Sequence, residues 1–182
     1  PIDLNILLTI PKEIQIQLVI DESNSFGILG NDWQNALKKE NINIIKVASL
    51  GKAIGISGGV IAGNTSFISE IQNQASFIGA AGMNPAFLET YVNAQEIYLF
   101  QKQKLQHNLY YIDRNFKDRG KFTYHSSYPI IYFDDEMVSK KLLEHKIITT
   151  SFKYTNASGK LNRIVITANH SIEDLEHLIA QL

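Results

Sequence analysis

Cysteine is absent from the 182-residue sequence. Its absence excludes disulfide bonds, thiolate zinc sites and cysteine nucleophiles. No apolar run approaches the length of a membrane span, and the first residues lack the basic segment and apolar core of a signal peptide. A cytoplasmic protein without a membrane span is therefore expected.

An excess of charge of one sign is also missing. Seventeen basic and 18 acidic residues are interspersed and give a formal net charge of −1. This pattern offers no basic surface to nucleic acid or to an anionic membrane. The chain does have a hydrophobic content of 45%, which suits a globular core in one large domain or two small ones.

Two apolar runs end next to chemically useful side chains. The run at 18–20 (LVI) ends on Asp21, and the run at 42–47 is followed by Ser49 and Lys52. The first run is typical of a strand buried on both faces of a parallel sheet. A third run, at 58–62, begins with glycines. Because open α/β sheets bind ligands beyond their strand ends, we expect the acid and the amine at one sheet edge.

The rest of the chain alternates helical and strand patterns. From Pro85 to Phe116, apolar residues recur at intervals of three, four or seven, which predicts one long helix. We also predict a helix at 66–71 and, in the last third, an α+β arrangement. Its predicted elements are strands at 128–133, 147–150 and 163–167, a turn at 156–159, and helices at 136–145 and from Ser171.

Four segments together resemble a known family. They are residues 21–30 (DESNSFGILG), 49–55 (SLGKAIG), 58–63 (GGVIAG) and 163–170 (RIVITANH). Their order and spacing are similar to those of the α-oxoamine synthases, pyridoxal-phosphate enzymes of the aspartate aminotransferase fold, and the resemblance covers nearly the whole chain. It implies an α/β fold, with part of the aspartate-aminotransferase-like (fold-type I) large domain and a small C-terminal α+β domain.

The same resemblance implies a domain organisation. We expect a remnant of the cofactor-binding large domain at 1–84, a long connecting helix at 85–120 and the small domain at 121–182. Because the sequence enters the family pattern in the middle of the large domain, we interpret it as the C-terminal half of a longer enzyme.

The resemblance also assigns roles to single residues. Lys52 would bond covalently to pyridoxal 5′-phosphate, and Asp21 would pair with the pyridine nitrogen. Ser49 would contact the cofactor phosphate, and Arg163 would bind the substrate carboxylate. Asn24 stands where the family usually has histidine, so it can hydrogen-bond the ring oxygen but cannot carry a proton.

Each of these residues has an ordinary alternative interpretation. An isolated Gly-Lys pair is more often a solvated loop, and an acid after a strand is more often a cap. Arg163 could instead pair on the surface with Asp174 or Glu173. A phosphate-binding P-loop at Lys52 is excluded, because its first glycine and its magnesium-binding hydroxyl are replaced. The five histidines lack ligand spacing, so no metal site is expected.

The loop at Ala80 and Ala81 departs from the family. Family members commonly place serine and threonine there, reaching across a homodimer to the partner's cofactor phosphate. Each lost hydroxyl would cost about 1 kcal/mol of cofactor binding. A weakened cofactor site is a consequence of that change.

As a function, the resemblance implies a pyridoxal-phosphate-dependent acyltransferase that condenses an amino acid with an acyl-CoA, usually with decarboxylation. The 8-amino-7-oxononanoate synthase branch, which belongs to biotin biosynthesis, is the favoured one. Two alternatives stay open. One is an aminotransferase of the same fold, and the other is a catalytically degenerate subunit that dimerises with, or regulates, an active relative.

Overall fold

A computed structural model describes residues 4–30, 41–116, 120–153 and 160–182. The chain divides into two compact units, Pro1–Tyr98 and Leu99–Leu182. The polar segment at 32–39 and the predicted turn at 156–159 lie outside the described residues. None of the helices in the described ranges has the length and hydrophobicity needed to cross a bilayer.

The first unit carries a three-stranded sheet in the order β1-β2-β3. β1 and β2 are parallel, whereas β2 and β3 are antiparallel. The three strands predicted from the apolar runs are therefore present. A 3-10 helix at Leu4–Thr9 precedes β1 (Ile16–Asp21), β2 (Ile42–Ser49), β3 (Gly59–Ala62), α1 (Thr65–Gln72), α2 (Ala75–Ile78) and α3 (Pro85–Asn93).

The predicted burial of β1 on both faces is wrong. Its residues alternate between half-buried and exposed, and Val19 is 58% exposed. β1 is an edge strand of the described sheet, and the face that carries Val19 is open in this unit. The neighbouring strand β2 provides the core instead, by burying Ile42, Ile45 and Ala48.

The single long helix predicted between Pro85 and Phe116 is in fact two helices. α3 ends at Asn93, and α4 (Gln95–Asn115) begins after Ala94, whose φ of −95° and ψ of 17° lie outside the helical range. The boundary between the two units falls inside α4, between Tyr98 and Leu99. The division into 1–84, 85–120 and 121–182 stays a prediction.

The second unit has a four-stranded antiparallel sheet in the order β4-β5-β7-β6. A capping box between Ser171 and Asp174 starts its last helix and satisfies backbone N–H groups at that end. After the remainder of α4, the elements are β4 (Thr123–Tyr124), β5 (Ile130–Phe133), α5 (Glu136–Glu144), β6 (Thr150–Lys153), β7 (Lys160–Val165) and α6 (Ile172–Gln181).

The strand predicted at 147–150 lies further along the chain, at Thr150–Lys153. Lys146 has a positive φ of 64°, and the backbone N–H of Ile147 donates to the carbonyl of Leu142 at 2.8 Å. These contacts close the C-terminal end of α5 and use the first residues of the apolar run. Ile148 is consequently 85% exposed rather than part of the sheet.

Ile131 lies at the centre of the hydrophobic core of the second unit and is 0% exposed. We expect Ile131→Ala to lower the free energy of unfolding by about 2–5 kcal/mol, because it removes buried methyl groups and leaves a cavity. Urea denaturation followed by circular dichroism measures this change. Ile148→Ala is the matched control and should change stability by less than about 0.5 kcal/mol. Equal losses in the two variants would contradict the assignment of this core.

Candidate active site

The carboxyl ends of β1 and β2 lie at one edge of the first sheet. Asp21, the last residue of β1, is in register with Val47 of β2. The backbone N–H of Glu22 donates to the carbonyl of Val47 at 2.7 Å, so the pairing continues past the strand end. Side chains that follow the two strands therefore emerge at the same place, as expected for a parallel pair.

Lys52 is carried by a loop between β2 and β3 that is fixed on both sides. Leu50 and Ile54 are 5% and 8% exposed, while Lys52 between them is exposed. The backbone N–H of Leu50 donates to the carbonyl of Gly58 at 3.0 Å, and that of Ile56 donates to the carbonyl of Leu50 at 3.1 Å. The loop thus buries Leu50 and Ile54 and presents the amine outward.

The amine of Lys52 meets Asn24 directly. Lys52 Nζ donates to Asn24 Oδ1 at 2.9 Å, although the two residues are 28 positions apart. Asn24 lies in the turn at residues 23–28 that follows β1. The structure therefore brings these two predicted site residues together, while their catalytic roles stay predictions.

Asp21 is exposed beside this pair, and its pKa lies below the ordinary value for aspartate. The hydrogen bond from the Ser23 side chain is the main cause, followed by the bond from the Ser23 backbone N–H, at 2.8 Å to Asp21 Oδ1. Burial partly opposes these two bonds by raising the pKa, and the positive charge of Lys52, the smallest effect, lowers it. The Asp21 carboxylate therefore caps the turn and also interacts electrostatically with the Lys52 amine.

Ser23, for which the sequence alone predicted no role, joins the ends of the two strands. Its Oγ accepts a hydrogen bond from the backbone N–H of Ser49 at 2.8 Å. Ser49 Oγ in turn accepts from the backbone N–H of Gly51 at 3.3 Å. The available signal was the position of Ser23 two residues after an acid, where Asx turns form.

We expect Ser23→Ala to raise the pKa of Asp21 towards its ordinary value, because the variant removes the largest cause of the lowering. A lowered pKa contributes stability above the unfolded-state pKa, and this contribution is lost as pH falls through the folded-state pKa. The variant should therefore lose that contribution at a higher pH. A ¹³C NMR titration of the Asp21 carboxyl measures the shift.

Ser25→Ala is the matched control for this titration. Ser25 lies in the same turn, but its hydroxyl donates to the backbone carbonyl of Glu22 at 3.3 Å instead of to Asp21. The control should leave the Asp21 titration unchanged. A shift of the same size in both variants would show that the turn as a whole, rather than the Ser23 hydroxyl, sets the pKa.

A cavity of about 520 Å³ adjoins these residues on the first sheet. Its lining is mostly apolar and comes from β2, β3, α1 and α2, with Val47, Ile61, Ile68 and Phe77 among the contributors. Ser23 belongs both to this lining and to the polar cluster at the strand ends. The polar cluster therefore borders on an apolar hollow.

Ala80 and Ala81 lie in an exposed loop after α2, in the same unit as Lys52. Their side chains have no hydrogen-bonding group, so only the backbone of this loop can contact a polar ligand. The predicted effect on cofactor binding stays a prediction.

Arg163 lies on β7 in the second unit. Its Nε donates to Thr150 Oγ1 at 2.9 Å, and its guanidinium carbon lies 4.7 Å from the centroid of the Phe152 ring. Of the two acids proposed as surface partners, Asp174 accepts from the Ser171 backbone N–H at 2.8 Å as part of the helix cap. The guanidinium is thus oriented by β6, and its contact with a substrate carboxylate stays a prediction.

Within the described ranges, no group of three or more His, Asp or Glu side chains is arranged to hold a metal ion. His145 and His177 come nearest to a histidine pair, with ring centroids 6.4 Å apart. His177 Nε2 lies 3.0 Å from the backbone carbonyl of His145. A structural contact within the second unit accounts for this pair.

Sequence comparison finds relatives along almost the entire chain. A Methanococcus vannielii protein is 30% identical over 185 residues, which cover 93% of this chain and 49% of the relative. The 8-amino-7-oxononanoate synthase of Petrotoga mobilis is 27% identical over 191 residues, covering 96% of this chain and 48% of that enzyme. The chain thus spans about half the length of the curated relatives it matches.

Solved structures show the same fold. The 8-amino-7-oxononanoate synthase of Francisella tularensis matches with a TM-score of 0.69 and 22% identity, over 90% of this chain and 53% of that structure. A serine palmitoyltransferase from S. paucimobilis, solved with PLP and myriocin bound, matches with a TM-score of 0.74 and 18% identity, over 91% and 46%. The predicted α/β fold of the aspartate-aminotransferase-like type is therefore confirmed.

The family profile described as Aminotransferase class I and II matches residues 1–182. Together with the named relatives, this match confirms the resemblance inferred from the four sequence segments. The chain belongs to the aminotransferase class I and II family of enzymes.

Proposed function

We propose that this chain forms the lysine-bearing part of a pyridoxal-phosphate-dependent acyltransferase of the α-oxoamine synthase type. The reaction would condense an amino acid with an acyl-CoA and release CoA, usually with loss of carbon dioxide. The observation that carries the proposal is the contact of Lys52 Nζ with Asn24 Oδ1 beside the Asp21 carboxylate. Relatives named 8-amino-7-oxononanoate synthase support this branch over an aminotransferase.

The residues at the strand ends have the chemistry that pyridoxal phosphate requires. The exposed Lys52 amine would bond to a carbonyl, and the ionised Asp21 carboxylate would pair with a ring nitrogen. The Ser49 hydroxyl would contact a phosphate. When bound, pyridoxal phosphate supplies an aldehyde carbonyl and an electron-withdrawing ring. Lys52, Asp21, Asn24 and Ser49 are the residues that would hold it.

The side chains around the cofactor would each have a separate role. Lys52 Nζ, as the free amine, would accept the α-proton of the amino acid substrate. Asn24 would orient this amine through its side-chain oxygen and donate through its amide group to the ring oxygen. Asp21, kept anionic by Ser23, would stabilise a proton on the ring nitrogen.

Arg163 would bind the carboxylate of the amino acid substrate. Since its Nε is used by Thr150, the carboxylate would be held through the terminal guanidinium nitrogens. Packing on Phe152 would keep the guanidinium plane in one orientation. A homodimer with sites at its interface and a cytoplasmic location, both expected from the sequence, belong to the same proposal.

Incubation of the purified protein with pyridoxal phosphate, alanine or glycine, and a series of acyl-CoA thioesters tests the function. The proposal predicts CoA release that depends on all three components, measured with a thiol reagent. Formation of pyridoxamine phosphate from amino acid alone, without CoA release, would identify an aminotransferase instead. Absence of a visible absorption band from a lysine-bound cofactor would identify a degenerate subunit.

A further inference from the structure

We propose that Tyr98 is a positioning residue for Lys52 and acts through the backbone carbonyl of Ile54. The inference depends on the proposed role of Lys52, but the geometry on which it is based lies entirely within the first unit. Nothing in the four sequence segments indicates this tyrosine, which lies 44 positions after Ile54.

Tyr98 holds the loop that carries the amine. Its phenolic O–H, near the start of α4, donates to the carbonyl of Ile54 at 2.9 Å in a partly buried position. Ile54 lies two residues after Lys52, and its side chain is 8% exposed. The bond thus fixes the peptide next to the Lys52 segment from outside the loop.

The same isoleucine contacts the turn that presents Asn24. Gly27, in that turn, has a φ of +82°, and a Cβ at this position would lie 2.8 Å from Ile54 Cδ1. Ile54 therefore packs against the backbone of the Asn24 turn on one side and is held by Tyr98 on the other. A shift of Ile54 would change the distance from Lys52 Nζ to Asn24 Oδ1.

Tyr98 is itself held in place by a second aromatic ring. The centroids of Tyr91 and Tyr98 lie 5.4 Å apart with an interplanar angle of 56°. Tilted aromatic pairs at this distance are favourable and restrict ring rotation. This ring contact supports the orientation in which the phenol donates to the Ile54 carbonyl.

Hydrogen exchange in the protein without cofactor tests whether Tyr98 holds the Lys52 loop in place. Tyr98→Phe removes only the hydroxyl and should speed exchange of the Ile56 amide about fivefold, the factor expected from one lost hydrogen bond. Amides of β2, such as that of Ile45, should exchange as in the wild type. Tyr110→Phe, at a 60% exposed tyrosine of α4, is the matched control and should change neither.

Reductive labelling tests the consequence for the amine. Pyridoxal phosphate followed by borohydride should label Lys52 in preference to the exposed Lys12, as read by peptide mass spectrometry. In Tyr98→Phe the ratio of Lys52 to Lys12 labelling should fall about fivefold. Tyr110→Phe should keep the wild-type ratio.

The outcomes separate this inference from the function on which it depends. If the wild-type protein showed no preferential labelling of Lys52, the proposed function would be wrong. The hydrogen-exchange data alone would then decide whether Tyr98 holds the loop. Preferential wild-type labelling that persists unchanged in Tyr98→Phe would overturn the inference. Faster exchange throughout the unit would also overturn it, since that result would indicate a general loss of stability.

Discussion

Lys52→Ala is expected to abolish labelling of this segment by pyridoxal phosphate and borohydride, and to lower acyltransferase activity by about 10²- to 10⁴-fold. The variant removes both the amine that would bond to the cofactor and the base that would take the α-proton. Because Lys52 is exposed between two buried anchors, the fold should survive the change. Peptide mass spectrometry and a CoA-release assay measure the two effects.

Lys12→Ala is the control for the loss of a lysine in the same unit, because Lys12 is also exposed. It should retain both labelling of Lys52 and activity. If Lys52→Ala retained wild-type activity and a lysine-bound cofactor band, another amine would be carrying the chemistry. The assignment of the strand-end site would then be wrong.

Asp21→Asn should separate cofactor attachment from turnover. The variant is nearly isosteric and keeps an oxygen that can accept from the Ser23 N–H, so the turn should form as before. Loss of the negative charge removes stabilisation of a proton on the ring nitrogen, and we expect activity to fall on the order of a hundredfold. Lys52 should still be labelled by pyridoxal phosphate and borohydride.

Glu13→Gln provides the charge control, since Glu13 is an exposed carboxylate of the same unit. It changes the net charge by the same amount and should leave activity unchanged. Equal activity losses in the two variants would point to a general electrostatic effect. Full activity in Asp21→Asn would mean that the carboxylate serves only as the turn cap.

The location of the candidate site follows from local sequence patterns. Two apolar runs ending at Asp21 and Ser49 sufficed to predict parallel strands whose ends meet, and this geometry brings Lys52 to Asn24. Apolar periodicity and strand-end acids are local properties, so they can be recognised without knowledge of the tertiary structure. The same is true of the capping box at Ser171.

Features set by tertiary contacts were not predictable in this way. Tyr91, Ala94 and Tyr98 keep the apolar period of a continuous helix, although the backbone leaves helical geometry at Ala94. The apolar residues after Lys146 have high strand propensity. The backbone N–H of Ile147 nevertheless bonds to the C-terminal end of α5 instead of joining a strand. The bond from Tyr98 to Ile54 joins residues far apart in sequence, and no local pattern encodes it.

The two buried anchors around Lys52 limit how this segment can change in evolution or design. Leu50 and Ile54 both fill apolar sites, and the number of residues between them sets where the amine emerges. Adding or deleting one residue would either expose Leu50 or Ile54 to water or turn the lysine away from Asn24. Length is therefore a stricter requirement here than the identity of the intervening side chains other than lysine.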